Sequence, residues 1–177
     1  MQENEQDKTL EGLKIAIQME IDGKEYYLKV SKTGVNEAGR TLLASLSVEE
    51  ASHKQKFEEI YNAIQRKKTW PITDFKPGGG ERLKTIFYKA TEKIASNAKN
   101  NDTELAVVQK AMDMENRTHD YYIRQSQSAT YDTERRFYES VAAEERGHYL
   151  ALLNYYEYLK DPESWFVKGE HTSLDGG

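Results

Sequence analysis

The chain has no cysteine, and only three prolines and two tryptophans among its 177 residues. Without cysteine there is no disulfide, thiolate zinc site, iron–sulfur cluster or cysteine nucleophile. With so few prolines, long helices can run unbroken. No run of about 18 apolar residues offers a membrane span. The N-terminus, Met-Gln-Glu-Asn-Glu-Gln-Asp-Lys, is polar and acidic, with no apolar signal region. A net charge of −5 gives no broad basic field for nucleic acid. The expectation is a single soluble, cytoplasmic domain, long enough to bury a sizeable core, with neither nucleic acid nor membrane as partner.

What the chain does have is charge, 31% of residues, and aromatic residues at 11%, including 12 tyrosines. Four segments carry apolar residues at alternating steps of three and four, the signature of bundle helices. They run through Leu13, Ala16, Glu20, Gly23, Tyr27 and Val30; through Leu43, Leu46, Glu50, His53, Phe57, Ile60 and Ile64; through Val108, Ala111, Glu115, Thr118 and Tyr122; and through Tyr138, Val141, Glu145, His148, Leu152, Tyr155 and Leu159. This predicts an all-α four-helix bundle with core helices at roughly 8–33, 36–68, 103–128 and 131–160. Gly34 and Asn36 suit a helix stop and the next N-cap, so the first two helices form an antiparallel pair. Ser128 to Thr133 supplies turn and capping residues between the last two. The crossover, 69–102, opens on Thr69-Trp-Pro-Ile-Thr-Asp-Phe-Lys-Pro-Gly-Gly-Gly80, which breaks the helix, and carries a shorter helix over 81–97 through Leu83, Ile86, Phe87, Ala90 and Ile94. Asn101, Asp102 and Thr103 can cap the third long helix, Pro162 ends the fourth, and Trp165 and Phe166 in the tail, 161–177, pack back on the bundle.

In every long segment an acidic residue takes a place where the pattern calls for an apolar one. Glu20 and Glu115, Glu50 and Glu145, and His53 and His148 are each 95 residues apart. Each Glu-x-x-His step spans three residues, within Glu49-Glu50-Ala-Ser-His53 and Glu144-Glu145-Arg-Gly-His148. Ala16 with Ala111, Met19 with Met114, and Tyr26-Tyr27 with Tyr121-Tyr122 keep the same offset. The two halves therefore read as a duplicated helical hairpin about a pseudo-two-fold axis. A lone Glu-x-x-His is commonly a solvated helix face; two in register on core stripes are not.

Four ionised carboxylates cannot stand unpaired in a core; they neutralise, pair or bind cations. No Lys or Arg lies on the core stripes beside them, and two divalent cations would balance four carboxylates. Three residues turn an α-helix by about 300°, so Glu50 and His53 lie close enough to hold one metal. Carboxylate with imidazole suits iron or manganese, and also zinc or cobalt. One Glu from each of two helices and a Glu-x-x-His from each of the other two is the ligand set of carboxylate-bridged bundle sites. Glu50 and Glu145 are then the bridges, and Glu20 and Glu115 the terminal ligands. Tyr27 and Tyr122 follow Glu20 and Glu115 by seven residues, two turns on, where each hydroxyl can reach a ligand carboxylate. Gly23 on the same stripe would leave room for a small oxidant.

On these residues the chain resembles the ferritin-like superfamily, and within it the di-iron domain of rubrerythrins. The resemblance is carried by Ala16-x-x-x-Glu20-x-x-Gly23-x-x-Tyr26-Tyr27 and the two Glu-Glu-x-x-His stretches, and spans roughly 8–160. It implies two iron ions, with manganese or zinc as substitutes, held by Glu20, Glu50, His53, Glu115, Glu145 and His148, which carry the catalysis, with Tyr27 and Tyr122 beside the site. It implies reduction of hydrogen peroxide, or of dioxygen. Rubrerythrins usually carry a further Glu where this chain has Thr118, and many carry a four-Cys rubredoxin-like domain. With no cysteine, this chain is expected to take electrons from a separate donor protein. A homodimer through outer helix faces is the expected assembly, with hairpin exchange through the crossover as a variant. A ferroxidase or iron-handling protein is the alternative in the same chemistry; a bundle stabilised by redox-silent metal for interaction with partners is the alternative outside it. His119 and His171, off the ligand stripes, read as surface histidines. Glu58-Glu59 and Arg66-Lys67-Lys68 read as solvated faces, and Trp70 and Trp165 as packing anchors.

Overall fold

The structure is a computed structural model that describes residues 3–34, 36–67, 69–71, 75, 78–92 and 102–166. It contains α1 (Glu3–Ser31), α2 (Glu37–Lys67), α3 (Gly79–Thr91), α4 (Asp102–Ser128) and α5 (Asp132–Lys160), with a short helical turn over 162–166. There is no strand among the described residues. α1 packs against α2 and α4 against α5 as two hairpins, and α3 bridges them by lying on α2 and α5.

Local chemistry explains most of the boundaries. Asn36 caps α2: its Oδ1 accepts the backbone N–H of Ala38 at 2.9 Å and of Gly39 at 3.3 Å. α5 begins without a side-chain cap at Tyr131; instead the Glu134 carboxylate reaches back to the N–H of Thr130 at 3.2 Å. That is the return half of a capping box, made by a buried Glu one turn in. Lys160 is the last residue of α5, and Pro162, which cannot continue a ladder, starts the short turn instead. Asp161 caps that turn through the Ser164 N–H at 3.0 Å, which swings Trp165 onto Phe87, Tyr88 and Tyr158.

Two expectations shift. α1 starts at Glu3, about a turn earlier than the apolar pattern indicated, because polar residues extend it beyond the core. α3 runs from Gly79 to Thr91, starting two residues before the expected 81, while the rest of the expected stretch, 93–97, lies outside the described residues. Glycine marks its start rather than the end of a breaker: Cβ atoms built on Gly80 and Gly147 would lie 2.6 and 2.8 Å from the opposing Cα, so α3 and α5 cross backbone to backbone. Ile94, Asn101 and His171 lie outside the described residues.

The apolar core divides in two along the helix axes. One cluster holds Leu13, Ala16, Phe57, Ile60, Phe137, Tyr138 and Val141. The other holds Val30, Leu42, Leu46, Phe87, Val108, Leu152 and Tyr155. Each fully buried Leu, Ile or Phe contributes roughly 1.5–3 kcal/mol relative to exposure. Between the clusters, at mid-height on all four long helices, stand the acidic residues and histidines.

Candidate metal centre

Glu20, Glu50, His53, Glu115, Glu145 and His148 are all buried, none more than 3% exposed. Ligand-capable atoms of Glu20, Glu50, His53 and Glu145 lie within 4.8 Å of one another, and so do those of Glu50, Glu115, Glu145 and His148. Glu50 and Glu145 belong to both groups. His53 Nδ1 sits 3.1 Å from Glu145 and 3.6 Å from Glu20; His148 Nδ1 sits 3.2 Å from Glu50, 3.5 Å from Glu115 and 3.7 Å from Glu145. The two imidazoles are nearly parallel, 9° apart with centroids at 5.3 Å. The sequence pattern thus brings its six candidates to one place.

Two tyrosines frame the cluster crosswise. The Tyr27 hydroxyl donates to Oε1 of Glu115, and the Tyr122 hydroxyl to Oε1 of Glu20. Each tyrosine serves the carboxylate of the other hairpin, not the one seven residues before it. Their neighbours repeat the exchange: Tyr26 donates to the carbonyl of Val107 and Tyr121 to that of Gly12, each at 2.9 Å. Gly12 and Val107 are themselves 95 residues apart. Four hydroxyls, paired by the pseudo-two-fold axis, therefore tie α1 to α4. The bond from each tyrosine occupies Oε1 and leaves Oε2 of Glu20 and Glu115 without a partner.

Glu20 Oε2, Glu50 Oε1, His53 Nδ1, Glu115 Oε2, Glu145 Oε1 and both ring nitrogens of His148 are buried with no hydrogen-bond partner. Buried polar groups are otherwise nearly always satisfied, each orphan costing about 1–3 kcal/mol. Burial, with Glu20, Glu145 and Glu115 beside it, holds the Glu50 carboxyl well above the carboxylate range. Burial, then the charge of Glu145, pushes Glu115 up to about 8. Glu145 goes the other way: burial raises it, but the imidazoles of His148 and His53 beside it outweigh this and lower it. Burial alone would depress both imidazoles, yet the carboxylates override it and raise them well above the ordinary value. Without a cation the cluster must therefore hold protons. Its oxygen and nitrogen donors, with no sulfur, fit a pair of iron, manganese or zinc ions.

The space beside Gly23 borders Glu50, whose Cδ and Oε2 lie 3.4 Å from where a Cβ would stand. Thr118 is half-buried, its hydroxyl donating to the Met114 carbonyl at 3.1 Å. It lines a cavity of about 170 Å³ with Met19, Asp22, Met114 and Arg117. His119 is off the site, beside Asp120 at 3.2 Å. Trp70 packs on Phe137 and Tyr138.

A family model for rubrerythrin matches residues 11–156, which include every residue of the cluster. The chain belongs to the rubrerythrin family. It is therefore a ferritin-like protein of the di-iron class, and its all-α bundle has the architecture expected of one. No curated protein and no solved structure matches it. No helix among the described residues is long and apolar enough to cross a membrane.

Sequence reasoning passed over one layer of this rubrerythrin-family site. Glu49 and Glu144, each preceding a central Glu, are buried too. Arg82 of α3 donates to Glu49, and the backbone N–H groups of Gly78 and Gly79 donate to Glu144. The only signal was the acidic doublet itself, repeated at the offset of 95.

Proposed function

We propose that this rubrerythrin-family chain is an oxidoreductase that reduces hydrogen peroxide at a di-iron centre, with electrons from a separate donor protein. The observation that supports it most is that, of nine unpartnered buried side-chain polar atoms among the described residues, seven lie on these ligand-type residues, the others being Trp70 Nε1 and the Tyr158 hydroxyl. Glu20, Glu50, His53 and Glu145 would hold one metal and Glu50, Glu115, Glu145 and His148 the other, Glu50 and Glu145 being common to both groups. Iron supplies the redox chemistry: hydrogen peroxide takes up two electrons and two protons, its O–O bond breaks, and two waters leave.

The chain's own residues provide the setting. Tyr27 and Tyr122 fix the two terminal carboxylates and present their free Oε2 atoms inward. Burial, with Glu115 beside Tyr27 and Glu20 beside Tyr122, raises both phenols well above their ordinary value, so the hydroxyls stay protonated as donors. Apolar clusters above and below exclude bulk water. A homodimer in the cytoplasm is part of the same proposal, the assembly being checked by sedimentation.

Stopped-flow mixing of the ferrous protein with peroxide and, separately, with dioxygen tests the reading. Oxidation faster with peroxide, and turnover with a reductant, is the expected result. Oxidation of many equivalents of added ferrous iron by dioxygen, with ferric mineral retained, would assign the site to iron handling instead. Binding of zinc alone, not replaceable by iron, would leave only a structural role.

A further inference from the structure

We propose that Glu144 is a positioning residue for both imidazoles of the cluster, and that the first turn of α3 holds it there. The crossover helix then governs how His53 and His148 face the metals. This rests on the two-metal reading above.

The pseudo-symmetry breaks at the first residue of each acidic doublet. Glu49 and Glu144 are equivalent by the offset of 95, and both are buried. Glu49 is turned to the Arg82 guanidinium. Glu144 instead lies with His53 and His148: one of its oxygens and a ring nitrogen of each histidine are all within 4.8 Å of one another. The near-parallel stacking of the rings lets one carboxylate serve both.

His148 turns Nδ1 toward Glu50, Glu115 and Glu145, which leaves Nε2 buried and unpartnered. A ligating imidazole needs an acceptor for its other N–H, because that bond fixes the tautomer and the ring orientation. Glu144 is the carboxylate within reach that is not itself in the groups around Glu50 and Glu145. Its charge is stabilised by the N–H groups of Gly78 and Gly79 at the positive end of α3. A carboxylate has about four acceptor positions, so these two bonds leave capacity for the imidazoles.

The glycines make this seat possible. A Cβ on Gly79 would collide with the Glu144 carboxylate, and Gly80 meets Gly147 backbone to backbone. Gly79, Gly80 and Gly147 are thus explained together: they let the start of α3 close on α5 one residue from His148.

The test uses zinc, which reads binding without redox activity. Zinc affinity is measured by chelator competition, and the ring nitrogens of His53 and His148 by 15N NMR, for the wild type, Glu144→Gln and Arg82→Ala. Arg82→Ala removes the tie from α3 to Glu49, the pseudo-symmetric partner of Glu144, without touching the imidazoles. The expected result is a wild type holding two zinc ions, a 10–100-fold loss of affinity with changed tautomer signals in Glu144→Gln, and Arg82→Ala within about threefold of wild type. If Glu144→Gln fails to fold, Glu144→Asp, which keeps the charge and shortens the reach, is read the same way. Unchanged affinity and ring signals in the Glu144 variant would overturn the proposal. So would an equal loss in Arg82→Ala, meaning that α3 docking alone matters, or a third zinc lost with Glu144, meaning that Glu144 is itself a ligand. A wild type that binds no zinc pair would sink the two-metal reading and this proposal with it, whereas the other failures leave that reading intact.

Discussion

Removing one hydroxyl from either framing tyrosine should weaken the centre without unfolding the bundle. Tyr122→Phe deletes the donor to Glu20, and Tyr27→Phe the donor to Glu115. The rings stay, so the contacts of Tyr122 with Phe57 and Tyr138 and of Tyr27 with Tyr26 are kept. A hydrogen bond to a charged group is worth about 1.5–3 kcal/mol. In the metal-bound state the whole of that bond is lost. In the metal-free state the carboxylates share protons and can re-pair, so much less is lost. The difference falls on metal affinity, a reduction of about 10–100-fold, or 1.4–2.7 kcal/mol, in each variant. Pseudo-symmetry makes the two losses similar and assigns them to opposite sides of the pair. The controls are Tyr26→Phe and Tyr121→Phe, whose hydroxyls bond backbone carbonyls rather than ligands. These should cost about 1 kcal/mol of stability and leave metal affinity alone. Competition against a chelating dye, with denaturant unfolding alongside, separates the two quantities. If Tyr27→Phe and Tyr122→Phe bind both metals as tightly as the wild type, the tyrosines are core aromatics only.

The metal-free protein should lose stability as pH rises from about 5 to about 8. Glu115 is raised to about 8 from an ordinary 4.5, so between those values the folded chain holds a proton that the unfolded chain has released. Glu50, His53 and His148, also raised, act in the same direction, and Glu145, lowered, acts only below the ordinary carboxylate range. Metal displaces these protons, so on loading the fall should vanish above about pH 6.5, and below it the unfolded histidines, which still bind protons, should reverse the slope; urea unfolding with and without chelator would expose a slope of the wrong sign. Glu50→Ala should lose at least one of the two metals, and elemental analysis showing both retained would refute the bridge. Gly147→Ala sets a methyl group against the Gly80 backbone, which cannot yield as a side chain can, so a loss of about 1–3 kcal/mol is expected; a neutral substitution would mean that α3 is not seated where described.

The bundle was legible because its helices are long and their apolar stripes regular, and because the acidic interruptions recur at one offset. Periodicity of that kind places Glu20, Glu50, Glu115 and Glu145 in the core before any coordinates are known. Tyr27 and Tyr122 were legible as neighbours of the cluster, but not which carboxylate each would serve. Stripe position is a property of one helix, whereas the exchange between hairpins depends on α1 lying antiparallel to α4. Glu49 and Glu144 were hidden for a different reason. An acidic doublet on a charged helix looks like a solvated face until another element covers it, and here the cover is α3, whose start at Gly79 was read as a breaker. The Gly-Gly-Gly run carries no periodicity, and its purpose lies in Gly147 and Glu144, far off in sequence. Tyr131, where a capping side chain was expected, shows the same limit: the bond comes from Glu134, one turn inside.

The central claim is that the buried carboxylates and imidazoles exist to hold a metal pair. An anaerobic titration of metal-free protein with ferrous iron, followed by its near-infrared absorption and circular dichroism, addresses it most directly. A signal that rises with added iron and breaks at two ions per chain is expected. No uptake, or a break at one ion with no further binding, would contradict it.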